Sequence, residues 1–228
     1  NAINLDKRGM SRVHLRASAD FTKSSAGDLR GKIDVGDIEL QNSTGSYKIG
    51  NINLVSYSSD STYTLRMDSR FAAGKYSGTA PVTTFIKDVR DVTLKKELPA
   101  LFTDSTYVWK GNSYDLDFKF NNPMDLLSFV MPGLYIEEGT QFKASLDRKG
   151  HLSAKLHSNR LAFRKDYLKG MNAEIDNGND ALEGLIDCSE LKIASLSLKD
   201  SHLDLHGKDN GLGVRFDYDN QTELRNSG

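Results

Sequence analysis

The chain has 228 residues, with 30 basic and 31 acidic side chains and a net charge of −1 at neutral pH. That balance excludes the basic stripe of a nucleic-acid binder and an acidic solvating tail, and 38% hydrophobic content is too high for a disordered chain. The length suits one or two domains, and with no run of about 18 apolar residues no helix crosses a membrane.

Asn1-Ala2-Ile3-Asn4 has neither the charged nor the apolar region of a signal peptide. The chain starts and stops in mid-pattern, which reads as an internal piece of something longer. From there, alternation of period two dominates. Val13, Leu15 and Ala17 alternate with Arg12, His14 and Arg16; Ile52 and Leu54 with Asn51 and Asn53; Tyr63, Leu65 and Met67 with Thr64, Arg66 and Asp68. Pro81 to Phe102 breaks the pattern and suits one or two short helices interrupted at Pro99. Tyr114, Leu116, Phe118 and Phe120 resume the alternation. Asn122 to Met131 reads as a short amphipathic helix, opened by Pro123 and ended by Pro132-Gly133, whose apolar side plugs or caps a neighbouring sheet. Strands return at Phe142 to Leu146, at Leu203 and Leu205, and at Leu212 to Tyr218. Turn signals separate them at Ser59-Asp60, Arg148-Lys149-Gly150, Asp176 to Asp180 and Gly207 to Gly211. The chain thus divides into an N-terminal β-segment (1–80), a helical or irregular connector (81–110) and a C-terminal β-segment (111–228) with a short helix near 123–131.

An internal repeat is the most informative feature. Leu29, Ile33, Ile38 and Leu40 fall at offsets 0, 4, 9 and 11; so do Leu152, Leu156, Leu161 and Phe163, and again Leu182, Ile186, Leu191 and Ile193. Offsets 0 and 4 share one strand face, whereas 9 is odd, so a corner or bulge must absorb one residue before alternation resumes. A second strand follows each unit, marked by Ile52 and Leu54, by Ala173 and Ile175, and by Leu203 and Leu205. The fold class is mainly β: repeated antiparallel strands, each with one apolar and one polar face. Such units cannot bury their apolar faces singly, so the sheet packs on a second sheet or curls upon itself.

No catalytic or metal constellation stands out. The single cysteine, Cys188, makes neither a disulfide framework nor a zinc set, and fits a reducing compartment and a bacterial envelope equally. The histidines lie in strands or turns without a carboxylate spacing that builds a metal site. Asp115 and Asp117 share the polar face of a strand and read as a solvated pair. Asp176 to Asp180 lacks the bidentate glutamate of a calcium loop and reads as a hairpin turn, while Gly211-x-Gly213 precedes no helix and is no dinucleotide fingerprint. Nothing here implies an enzyme or a cofactor. A carbohydrate-binding sandwich would need an aromatic platform, and Trp109 is the one tryptophan.

Four stretches resemble the TamB family of AsmA-like, bridge-type lipid-transfer proteins, in particular its Bacteroidetes members. They are Leu29 to Ile38, Met131-Pro-Gly-Leu-Tyr-Ile-Glu-Glu-Gly-Thr-Gln-Phe142, Asn172 to Asn177, and Leu196 to Leu205. The Pro-Gly-Leu-Tyr-Ile step after a short helix is the most specific, and the resemblance spans the chain from about Leu29, weakest over Pro81 to Lys110. It implies a curled open sheet, a β-taco with an apolar interior that conducts phospholipid between inner and outer membrane and supports outer-membrane assembly. It also implies a periplasmic location, an inner-membrane anchor and an Omp85-type barrel partner, both outside this chain. The ligand it implies is the phospholipid acyl chain. The implied site is a lining: Leu29, Ile33, Ile38 and Leu40; Ile52, Leu54, Leu65 and Phe118; Leu152, Leu156, Leu161 and Phe163; and Ile175, Ile186, Leu191, Ile193, Leu203 and Leu205. The other reading is a β-rich scaffold or chaperone that binds outer-membrane protein strands at a sheet edge.

Overall fold

A computed structural model describes residues 11–25, 28–59, 61–101, 108–178, 180–219 and 226–227. Within these, the side chains of residues 23–25, 28, 29, 94, 95, 101, 226 and 227 lie outside the description.

The alternating segments form strands because one face of each is β-branched, leucine or aromatic and the other is charged or hydroxylic. In chain order they are β1 (Arg12–Ser25), β2 (Asp28–Asn42), β3 (Gly45–Ser59), β4 (Thr62–Ser69), β5 (Ala72–Gly78), β6 (Tyr114–Phe120) and β7 (Leu134–Ile136). There follow β8 (Gln141–Leu146), β9 (Leu152–Phe163), β10 (Asp166–Asp176), β11 (Leu182–Ile193), β12 (Leu196–Lys208), β13 (Gly211–Tyr218) and β14 (Asn226–Ser227). All fourteen belong to one antiparallel sheet, laid down almost wholly in sequence order. β7 pairs with β9 beside the end of β8, so 134–146 forms one interrupted strand along β9. β1 and the β13–β14 end do not pair with each other, and the sheet is open. β5 pairs with β6 from Ala72↔Phe120 to Gly78↔Tyr114, so both β-rich segments share this sheet across the connector.

Where the sequence places corners, the structure bends the strands without ending them. In β2 the inward positions run 33, 35 and then 38, 40; in β9 they run 156, 158 and then 161, 163. The step of three is taken together by neighbouring strands, which keeps the pairing in register on either side. Four residues on this line have left-handed backbones: Asp37 (φ 54°), Gly50 (φ 82°), Gly170 (φ 54°) and Asp200 (φ 44°). Two side chains serve the bent backbone. The Asp37 N–H donates to Asn51 Oδ1 at 3.1 Å, and Ser189 Oγ donates to the Lys169 carbonyl at 3.0 Å. A Cβ on Gly170 would sit 2.7 Å from Ser189 Oγ, so glycine here answers both a positive φ and a close approach. The line is a crease dividing each long strand into two walls.

Two helical insertions finish the architecture. The connector runs through α1 (Val82–Val89), a π-turn (Arg90–Leu94), α2 (Lys95–Glu97) and a 3₁₀ turn (Pro99–Leu101), as the interrupted helix pattern anticipates. Phe85 and Val92 pack on Tyr76, Tyr114, Leu146 and Leu152, the inward side chains nearest one rim. Its far end reaches the β12–β13 turn: the Asn210 N–H donates to the Glu97 carbonyl at 2.8 Å, and the Ala100 N–H donates to Asn210 Oδ1 at 2.9 Å. The connector is therefore a strap along one rim of the curled sheet. At the opposite rim, β4 stops at Ser69 while β3 extends back to Gly45, which leaves a gap in the wall. Helix α3 (Met124–Val130) fills it and buries Phe129 against Ile38, Leu40 and Ile49, with Tyr47 edge-on at 6.0 Å. Burying that one ring is worth roughly 1.5–3 kcal/mol.

Candidate functional site: an open apolar trough

The strand registers carry one inward row across twelve strands without a break. It runs Ala19, Ile33, Leu54, Met67, Gly74, Phe118, then Phe142, Leu156, Ala173, Ile186, Leu203 and Phe216. None of these is buried: Ala19 is exposed and every other member is partly exposed. At strand spacing the row extends over roughly 50 Å. The neighbouring outward row is mostly charged: Asp20, Lys32, Arg66, Lys75, Asp117, Lys143, Lys155, Glu174, Asp204 and Arg215 belong to it, with Val55 and Leu185 between them. Apolar surface left open on this scale exceeds the scattered apolar contacts of an ordinary monomer surface.

The predicted lining residues fall into three groups. Ile33, Ile52, Leu54, Leu65, Phe118, Leu156, Leu161, Ile186, Leu191, Leu203 and Leu205 are partly exposed, and Phe163, Ile175 and Ile193 are exposed at 45%, 44% and 52%. Ile38, Leu40 and Leu152 are buried instead, the first two beneath Phe129 of α3 and the third among the residues that hold the strap. The side chain of Leu29 lies outside the described residues. The row also includes side chains that repeat spacing does not single out, namely Phe142 and Phe216, together with Met67, and it includes Ala173, which marks a repeat unit but is not among the predicted lining. Cross-strand pairing brings them into the row, and pairing is invisible in any one segment.

The floor of the trough, on the inner side of the crease, mixes hydroxyl and sulfur side chains. Thr140, Ser158, Met171, Cys188 and Ser201 are all buried there. Thr140 and Ser158 share a hydroxyl–hydroxyl hydrogen bond of 2.6 Å, while Ser201 Oγ has no hydrogen-bond partner. Burial pushes the Cys188 thiol up from its ordinary range, with Asp187 nearby adding to the shift, so it is an inert space-filler and no nucleophile. Two recesses widen the trough. One of about 300 Å³ lies between Phe21, Ile33, Leu54, Leu65 and Tyr76 and the start of the strap at Pro81. Another of about 290 Å³ lies between Leu134, Leu161, Phe163, Leu168, Leu191 and Ile193 on the opposite wall.

The outer face carries most of the titrating groups. His202 Nδ1 lies 2.6 Å from Asp187 Oδ1 and its Nε2 lies 3.1 Å from Asp204 Oδ1; His206 Nδ1 lies 2.7 Å from Glu183 Oε1. His202, Asp204 and His206 alternate along β12 and so share one face, a juxtaposition that sequence reading passed over. Among the described residues no group of three or more His, Cys, Asp or Glu side chains is arranged to hold a metal ion. The hydrogen bond that His202 donates to Asp187, with Asp204 beside it, raises the His202 pKa above the usual histidine value. Asp117 is held low by hydrogen bonds from Gln141 and Lys143, as befits a solvated cross-strand ladder. The Asp176 segment is a turn that locks the rim: Asn177 Oδ1 accepts from the Leu152 N–H at 2.7 Å and its Nδ2 donates to the Gly150 carbonyl at 3.0 Å.

The geometry is that of a continuous apolar surface left partly uncovered along the sheet. Among the described residues no helix is long and apolar enough to cross a membrane. Comparison of the chain with protein-family models, with curated proteins and with solved structures finds no match.

Proposed function

We propose that this chain is a periplasmic segment of a passive lipid conduit, in which phospholipid acyl chains ride the open trough between inner and outer membrane. The observation that carries the reading is the unbroken, partly uncovered apolar row from β1 to β13. Acyl chains suit it because each methylene gains about 0.8 kcal/mol on leaving water wherever it lies along the row, so a chain slides with little change in energy. The charged outer rows then face the periplasm. Resemblance to the TamB family supports the same reading, under which a membrane anchor and an Omp85-type barrel partner belong to regions outside this chain. No catalysis is invoked.

The test is chemical. Photocrosslinking residues at Leu156, Ile186 and Leu203 should give lipid adducts in cells, and native mass spectrometry of the purified chain should find co-purified phospholipid. Leu156→Asp or Ile186→Asp in the full-length protein should block transfer while the sheet remains folded. Normal lipid transport by such a folded variant would sink the proposal.

A second reading is favoured by one feature, the long edge of β1, on whose outer side no strand pairs among the described residues. A non-enzymatic scaffold for outer-membrane protein strands would use that edge by strand addition. Protein adducts along β1, with none from lipid in the trough, would favour it.

A further inference from the structure

β1 is the exception to the way this sheet manages its edges. At the other end, β13 has glycines at 211 and 213 and an arginine at 215, and β14 covers Asp217 and Tyr218. Such short, glycine-bearing edges resist further pairing. β1 is fourteen residues long, its pairing with β2 runs without a shift from Arg16 to Lys23 and shifts between His14 and Arg16 and between Lys23 and Ser25, and among the described residues nothing pairs with its outer side. Every described side chain from Arg12 to Thr22 is exposed, including Leu15 at 46% and Phe21 at 42%. A bare edge of that length recruits another strand.

The side chains indicate which strand. In an antiparallel pair related by a two-fold axis through Ser18, each residue faces the one equally far on the other side of Ser18. Arg16 then lies opposite Asp20 of the second copy, and Asp20 opposite its Arg16. Leu15 meets Phe21, Ala17 meets Ala19, and His14 meets Thr22. Between Leu15 and Phe21 opposite charges pair on the polar face and apolar groups pair on the trough face; further out the register sets Val13 opposite Lys23 and Arg12 opposite Ser24. Sliding the copies by two residues loses both Arg–Asp pairs, and sliding by four toward the N-terminus sets Arg12 against Asp20 but also Arg16 against Arg16. A slip by one turns apolar side chains onto the polar face. Arg16 reaches Asp37 of its own chain only at 3.5 Å and keeps an 80% exposed side chain, so it is available for this contact.

We infer that the β1 edge is a self-complementary interface on which a second copy of this chain pairs, antiparallel, about Ser18. The contact is isologous and closes at two copies. It fuses the two sheets into one, with the trough faces on the same side and the apolar rows joined end to end at Ala17 and Ala19. The inference is independent of what the trough carries.

Sedimentation velocity on the 228-residue chain tests it. The wild type should sediment as a dimer. Arg16→Asp and Asp20→Arg should each weaken dimerisation roughly tenfold, since each replaces two attractive cross-strand pairs with two repulsive ones. The double variant Arg16→Asp/Asp20→Arg should restore it. Circular dichroism checks that each variant keeps its sheet. Independently, Ser18→Cys should form a disulfide-linked dimer on mild oxidation, while Ala17→Cys and Ala19→Cys should not, because neither faces itself. A chain that stays monomeric at every concentration overturns the inference, and so covers the case in which residues 1–10 or a strand of a longer protein occupy the edge. A dimer indifferent to the charge swap, a double variant no better than the singles, or one that fails to crosslink through position 18 overturns it equally.

Discussion

Gly170 answers two demands at once, both of which call for glycine. Its backbone is left-handed and its missing side chain leaves room for Ser189 Oγ, which donates to the Lys169 carbonyl that the bend would otherwise strand. Gly170→Ala should therefore cost about 1–2 kcal/mol, from the strained φ and the crowded hydroxyl together. Urea unfolding measures it, and an unchanged midpoint would mean that the crease does not constrain the fold. His202 supplies a pH dependence with a definite sign. Its partners on the face are Asp187 and Asp204, with Asp217 opposite on β13 and Arg215 beside it. The folded pKa is raised, so the stabilisation is complete below the unfolded value of about 6.5 and disappears as the pH climbs through the folded value. Thermal melts across the neutral range should show stability falling as the pH rises, and Asp187→Asn should flatten that slope.

At the scale of elements, the strap is a separable part. Phe85 is its anchor, edge-on to Tyr114 with ring centroids 5.4 Å apart, and Asp88 beside it is wholly buried, accepting from Tyr114 and from Asn112 Nδ2 at 2.8 Å. Phe85→Ala should cost about 3 kcal/mol. Hydrogen exchange should accelerate in 82–101 while β10 to β12 stay protected; uniform acceleration would show that strap and sheet unfold as one. Much of this level was legible in the sequence. Alternation marked the strands, Pro123 and Pro132-Gly133 bracketed α3, and the odd step between offsets 4 and 9 marked the crease. The hairpin turns at Arg164 and Ala194 were not legible, because both adopt positive φ without glycine or asparagine. Long-range bonds hold them: the Ala194 N–H donates to Asp166 Oδ1 at 2.7 Å, and the Arg164 N–H donates to the Gly133 carbonyl at 2.7 Å. The path of the strap was hidden for the same reason, since Asn210 lies far along the chain from Glu97. The sequence also overcounted the lining. Ile38, Leu40 and Leu152 carry the same spacing as their open counterparts, and burial comes to them from helices that the repeat does not contain.

For the whole molecule the decisive property is that the sheet does not close. A compact sandwich, the expectation from strand patterning alone, would hide its apolar rows against a second sheet. Here the central row stays uncovered through the sheet, and the two apolar clusters form under the strap and beneath α3. The native protein should therefore bind a solvatochromic hydrophobic dye without unfolding. Ile186→Asp should diminish that signal with little change in melting temperature, because the carboxylate remains in contact with water. Dye binding unaffected by charging the row would locate the exposed apolar surface elsewhere.

A line of left-handed residues running at right angles to the strands has an effect beyond bending them. It separates what sets the bore from what sets the length. Depth follows from how many residues stand on either side of the line, roughly six at about 3.3 Å each, or near 20 Å per wall. Extent follows from how many hairpins are stacked, and adding one leaves the profile untouched. A gene encoding this architecture can thus stretch by duplication, with each new pair of strands arriving already folded to the same gauge.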